Sequence, residues 1–95
     1  MMNIRVQYYA LIREVVQKEE EGTVLTENSS IRDLLELLIK EYGEDFKDLF
    51  FERNGDVAHR ILIFVDGSEV DLAKDEDMRL ENGSKVQFFQ PIGGG

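Results

Sequence analysis

The segment from Ser30 to Gly43 constrains the fold more than any other part of the chain. Ser30 stands three residues ahead of Asp33, the spacing of a capping box, in which a hydroxyl and an acid satisfy backbone N–H groups left free at a helix start. Ile31, Leu34, Leu35, Leu38 and Tyr42 then recur at helical spacing, and Gly43 closes the helix. An apolar stripe of this kind needs a cover, and the flanking segments read as strands, so the helix is expected to pack on one face of a sheet.

Asn3 to Ala10 alternates with period two, placing Ile4, Val6 and Tyr8 on one face and Arg5, Gln7 and Tyr9 on the other. A short polar stretch ending in Glu19-Glu20-Glu21-Gly22 leads to Thr23-Val24-Leu25-Thr26, read as a second strand antiparallel to the first in an N-terminal hairpin. Ile61 to Val65 runs into Asp66-Gly67, a favoured two-residue hairpin turn, with Ser68-Glu69-Val70 returning. After the turn Asn82-Gly83, Lys85 to Phe89 forms a last strand, with Val86 and Phe88 on one face and Gln87 and Phe89 on the other. Between Glu44 and His59 the pattern weakens: Phe46, Leu49, Phe50 and Phe51 suggest a short helical turn, and Asn54-Gly55 is a turn signal. The order is strand, strand, helix, strands, an α+β plan. Residues 1–90 are expected to form one domain, and residues 91–95 a flexible glycine tail.

Hydrophobic residues make up 42% of the chain and charged residues 33%, a balance that suits a soluble globular domain. With 20 acids against 11 basic residues the formal charge is −9, which repels phosphate, so neither nucleic acid nor an anionic membrane is an expected partner. A basic surface on a protein partner would complement it, and acidic surfaces also serve solubility alone. The chain has no cysteine, which removes disulfides, thiolate nucleophiles and thiolate metal sites. Neither a signal peptide nor a membrane span is read, and the expected location is cytoplasmic.

Catalytic constellations are lacking. His59 is the sole histidine and sits beside Arg60 ahead of an apolar strand, a loop or strand-edge position rather than that of a base or ligand. The run Lys74-Asp75-Glu76-Asp77 reads as solvated loop, and no phosphate-loop, dinucleotide or metalloprotease motif occurs. Folding leaves unexplained the end of the sequence, Gln90-Pro91-Ile92-Gly93-Gly94-Gly95, where three glycines can contribute no side-chain packing.

The stretch from Leu80 to Gly95 resembles the C-terminal signature of the MoaD/ThiS-like sulfur carriers, among them the small subunits of molybdopterin synthase. That signature is Asn or Asp before Gly, a strand ending in paired Phe, one or two Pro, an aliphatic residue, a small residue and a terminal Gly-Gly. Here these are Asn82-Gly83, Phe88-Phe89, Pro91, Ile92, Gly93 and Gly94-Gly95. Tyr8-Tyr9-Ala10-Leu11-Ile12-Arg13-Glu14 is similar to the family's aromatic-aromatic-Ala segment with its Arg-Glu, and Val65-Asp66-Gly67 to its mid-chain hairpin. Gln90 departs from the pattern, standing where many members have a first Pro, and Glu44 to His59 looks long. The archaeal small modifier proteins share the pattern.

The resemblance implies a ubiquitin-like β-grasp, a mixed sheet of about five strands with one main helix on one face and the first and last strands side by side. It also implies a carrier, not an enzyme, with no bound cofactor or metal. An ATP-using activating enzyme of the ubiquitin-activating type would adenylate the Gly95 carboxylate. Converted to a thiocarboxylate, it would donate sulfur to a molybdenum or tungsten cofactor precursor on the molybdopterin synthase large subunit. The rival is a protein modifier joined through Gly95 to substrate lysines, and a third reading is an inert interaction module. In the first two, Gly93 and Gly94 let the tail thread a narrow channel, since glycine has no side chain, and Gln90 to Gly95 extends about 20 Å. Strand parity puts Tyr9 and Phe89 on the sheet face away from the helix, where they are expected to be exposed and, with Pro91 and Ile92, to bind the partner. The competing expectation is that Glu44–His59 folds over and buries them.

Overall fold

The computed structural model describes residues 1–90. Alternation in the first segment produces β1 (Met2–Tyr8), whose Met2, Ile4, Val6 and Tyr8 are buried while Asn3 and Arg5 are exposed. Further along are α1 (Ala10–Val16), β2 (Glu20–Leu25), α2 (Ile31–Tyr42), α3 (Glu44–Phe50), β3 (Leu62–Val65), β4 (Ser68–Val70), α4 (Leu72–Asp75) and β5 (Lys85–Phe89). The strands form one mixed sheet in the order β2-β1-β5-β3-β4. β1 and β5 are parallel, with Arg5 opposite Lys85 and Tyr8 opposite Phe88, and the remaining pairs are antiparallel. The expected α+β, ubiquitin-like β-grasp is observed, with the first and last strands adjacent.

Ile31, Leu34, Leu35 and Leu38 of α2 are buried in one cluster with Ile4, Val6, Tyr8, Ile63, Val65, Val86 and Phe88 of the sheet. The capping box forms as the sequence indicates: the Asp33 N–H donates to Ser30 Oγ at 3.1 Å and the Ser30 N–H to the Asp33 carboxylate at 2.8 Å. The next two N–H groups of α2 donate across the chain, Ile31 to the Met78 carbonyl at 2.9 Å and Arg32 to that of Glu76 at 3.0 Å. The Lys74–Asp77 run is therefore more than solvated loop. Its first half ends α4, and the Glu76 carboxylate pairs with Arg32 at 2.6 Å.

Two local expectations are corrected. The stretch after β1 is not an irregular polar link but α1, with Ile12 and Val16 buried, so β1 and β2 are antiparallel without forming a tight hairpin. α1 has only two buried positions and no side-chain cap, so neither periodicity nor capping betrays it, and it is held by packing. β2 begins at Glu20, ahead of the β-branched run, because its ladder with β1 continues to Glu21 opposite Val6 and Glu20 opposite Gln7, and the consecutive glutamates find side-chain partners there. Glu19 meets Arg13 and Glu20 meets Arg5, while Glu21 turns inward to tyrosines.

Asp66 and Gly67 both take positive φ, 50° and 88°, the backbone of the turn that matches strand twist between β3 and β4. In the weakly patterned middle, Phe46, Leu49 and Phe50 are buried by α3, and Phe51 bridges Val57 around the Asn54-Gly55 turn. Ser30→Ala should cost about 1 kcal/mol, the usual value of a lost N-cap, with the fold retained. Urea titration of both forms measures it.

Candidate functional site at the sheet end that carries the glycine segment

β5 lies between two strands to its last residues, Phe88 opposite Tyr8 on β1 and Phe89 opposite Leu62 on β3. Gln90 follows, exposed, at the end of the described residues. Gly95, Gly94, Gly93, Pro91 and Ile92 lie outside them, so their expected roles are carried forward as proposals.

Strand parity separates the paired phenylalanines. Phe88 is fully buried on the helix side, stacked on Tyr8 at 6.1 Å and meeting Phe50 edge-on at 5.1 Å and Phe46 at 6.3 Å. Phe89 points to the opposite face and lies flat on Tyr9, ring centres 4.3 Å apart at 11°, with Phe64 edge-on at 5.4 Å. Tyr9 and Phe89 thus occupy the expected face but are half-buried rather than exposed, because each covers the other. α3 packs on the helix side through Phe46 and Phe50 and leaves this face open.

Two apolar contributors and one set of polar contacts were not legible in the sequence. Leu62 and Phe64 share the face with Phe89 only because β3 pairs with β5, Leu62 opposite Phe89 and Phe64 opposite Gln87. In the polar set, Tyr9 OH donates to Gln7 Oε1 at 3.0 Å, and Gln87 Nε2 donates to the same oxygen at 2.9 Å. Strand parity had already placed Gln7 and Gln87 on this face, and it would have found Leu62 and Phe64 had the strand order been known.

On the helix side of the same sheet end, Tyr8 and Tyr42 both donate to the Glu21 carboxylate, and Lys18 Nζ contacts Glu21 at 3.2 Å and the Tyr42 hydroxyl at 3.0 Å. Burial, then the Glu21 carboxylate, raise the Tyr8 phenol far above its usual range. Burial pushes Glu21 upward, but bonds donated by Tyr42, Tyr8 and Lys18 outweigh it and hold the carboxyl below its ordinary value. The Tyr42 bond first, then Glu21, raise Lys18. Through Tyr8, Glu21 and Tyr42 the cluster locks β1, β2 and α2 together. His59 sits in an exposed loop with φ 56°, and among the described residues no three His, Cys, Asp or Glu side chains are grouped to hold a metal ion. No helix of the described residues is long and apolar enough to cross a membrane.

The match to the ThiS family spans residues 6–95, and so includes the end of β1 and the glycine segment. The chain belongs to the ThiS family. Its members are small ubiquitin-fold carriers and modifiers that work with separate enzymes. A Pyrococcus furiosus protein described as molybdopterin converting factor, subunit 1 is 28% identical with a TM-score of 0.77, over 97% of this chain and 100% of that one. Small archaeal modifier protein 1 from Methanosarcina acetivorans superposes with a TM-score of 0.80 at 21% identity, over 100% of this chain and 98% of that one. Ubiquitin-related modifier 1 from Vanderwaltozyma polyspora is 24% identical over 103 residues, spanning all of both chains.

Glu21 supplies a pH prediction. Its carboxyl titrates lower in the folded chain than the unfolded value of about 4.3, so its contribution is complete above that value and is lost as pH falls through the folded one. Glu21→Gln should lower stability at pH 7 by about 1–2 kcal/mol, with the gap narrowing as the pH is lowered below the unfolded carboxyl range. Denaturant titrations at neutral and at acid pH check it.

Proposed function

We propose that this ThiS-family chain is a sulfur carrier activated at Gly95. The family match through the glycine segment carries the reading. A carboxylate is a poor electrophile, so a ubiquitin-activating-type enzyme spends ATP to form the Gly95 acyl-adenylate and release pyrophosphate. A sulfur donor then displaces AMP and leaves a thiocarboxylate. That sulfur passes to a molybdenum or tungsten cofactor precursor on a molybdopterin synthase large subunit, and water hydrolyses the acyl group left behind, supplying the oxygen that restores the carboxylate. Likeness to the Pyrococcus furiosus protein supports this acceptor. ATP is bound by the activating enzyme, and this chain needs no cofactor of its own.

In this reading Gly93 and Gly94 thread the partner's channel, and an extended Gln90–Gly95 spans about 20 Å from the end of β5. Tyr9 and Phe89 form the docking platform at its root, with Pro91 and Ile92 contacting the partner beyond it. A second reading, conjugation of Gly95 to substrate lysines through an isopeptide bond, draws support from the likeness to ubiquitin-related modifier 1.

The two faces of β5 give the first test. Phe89→Asp should leave the chain folded, at a cost of about 1–2 kcal/mol for the half-buried ring, yet weaken binding to the activating enzyme by placing a charge in a desolvated contact. Phe88→Asp should unfold the domain, since it buries an unpaired carboxylate. Melting curves and a binding titration decide both.

Removal of Gly95, or addition of one alanine after it, should abolish ATP-dependent activation with the melting curve unchanged. Undiminished activation of either variant would sink both readings. Mass spectrometry of protein from its native host then separates them. A terminus carrying sulfur in place of one oxygen identifies the carrier, and tryptic peptides with glycine-branched lysines identify the modifier.

A further inference from the structure

The geometry points to Gln7 and Gln87 as positioning residues for the docking platform, holding the Tyr9 ring flat against Phe89 before any partner arrives. The inference rests on the functional reading above and extends it to residues outside the chemistry at Gly95.

Gln7 Oε1 accepts two bonds, from Tyr9 OH at 3.0 Å and Gln87 Nε2 at 2.9 Å, which use both lone pairs of the amide oxygen. Gln87 Nε2 also lies 3.4 Å from the Tyr9 hydroxyl, so the three polar groups close a triangle. The tyrosine is thereby fixed at two places, its face by Phe89 and its tip by the triangle. Tyr9 lies just beyond β1, its backbone extended at φ −127° and ψ 151°, where no sheet ladder orients the side chain.

The triangle is not needed to join its strands. β1 and β5 already share a backbone ladder in which Gln7 lies opposite Gln87. Half-exposed neutral hydrogen bonds also exchange with water at little net gain. Their distinctive effect is on ring orientation. An aromatic side chain immobilised in advance spares the partner the entropy of ordering it, and that saving appears as tighter docking with no change in the reaction that follows.

The test uses the full-length chain with the ATP-dependent activating enzyme of the same genome, reading ATP–pyrophosphate exchange. Gln7→Met removes the shared acceptor at similar length, and Tyr9→Phe removes the hydroxyl but keeps the ring. Each should raise KM about three- to tenfold with kcat unchanged. The double variant should be no worse than the worse single, because the Tyr9–Gln7 hydrogen bond is lost in both. In the free protein, nuclear Overhauser contacts between the Tyr9 and Phe89 rings should weaken in both single variants, with melting temperatures within about 3 °C of the parent. An unchanged KM in both variants overturns the proposal, as do ring contacts untouched by Gln7→Met. A matching fall in melting temperature also overturns it, by making the role structural. If the parent chain supports no exchange at all, the functional reading fails and this inference with it, a result distinct from an active parent whose variants are kinetically silent.

Discussion

The parallel pairing of β1 with β5 is the constraint on which the rest of the structure depends. Parallel neighbours cannot be closed by a tight turn, so everything between Tyr8 and Lys85 becomes one long crossover that must return the chain to the middle of the sheet. α2 supplies the cover for that crossover, and β3 receives the other edge of β5. A last strand with partners on both sides is held to its final residues, unlike one at an exposed edge. The point at which the glycine segment joins the body is therefore set by the centre of the fold.

From that pairing, alternation alone generates the difference between core and surface at the root of the segment. Phe88 and Phe89 are chemically identical and adjacent, yet one is enclosed by Tyr8, Phe46 and Phe50 while the other lies on Tyr9 across the open face. The opposed environments of Tyr8 and Tyr9 repeat the arrangement. Tyr8 places its hydroxyl in the Glu21 cluster that ties β1 to β2 and α2, and Tyr9 places its hydroxyl on Gln7. A slip of one residue in either strand would exchange the two faces together, so packing on the helix side fixes which aromatic pair lies on the opposite face.

Elements with a complete local signal were legible in the sequence. The Ser30–Asp33 capping box, the apolar stripe of α2 and the Asp66-Gly67 turn each carry their physics in a few neighbouring residues, and each is found where the pattern places it. The face of Tyr9 and Phe89 was legible too, because parity needs only the strand itself. What stayed hidden depends on contacts across the chain. α1 is too short to display a period, and β2 begins in a run of glutamates whose partners Arg13, Arg5, Tyr8 and Tyr42 are brought in by folding. Leu62, Phe64 and the amide triangle join the candidate site through the β3–β5 and β1–β5 registers, which no local pattern encodes. Partial burial of Tyr9 and Phe89 likewise follows from their stacking, a relation between residues 80 positions apart.

Charge is arranged so that attraction at long range and contact at short range fall to different groups. The chain carries a net −9, and Arg5, Arg13, Lys18, Arg32 and Arg60 are each engaged by a carboxylate. Such pairs contribute little stability at the surface, but they leave the excess acids to dominate the field at a distance. The platform itself, Tyr9, Phe89, Phe64, Leu62, Gln7 and Gln87, has no charged side chain. On the proposed function, a basic activating partner would be drawn by the acidic body and would then desolvate a neutral surface, avoiding the penalty of burying an ion. Salt would accordingly slow encounter more than it weakens the docked state. On the same proposal, specificity at the root of the glycine segment would rest on the shape of two stacked rings and on the amides that hold one of them in place.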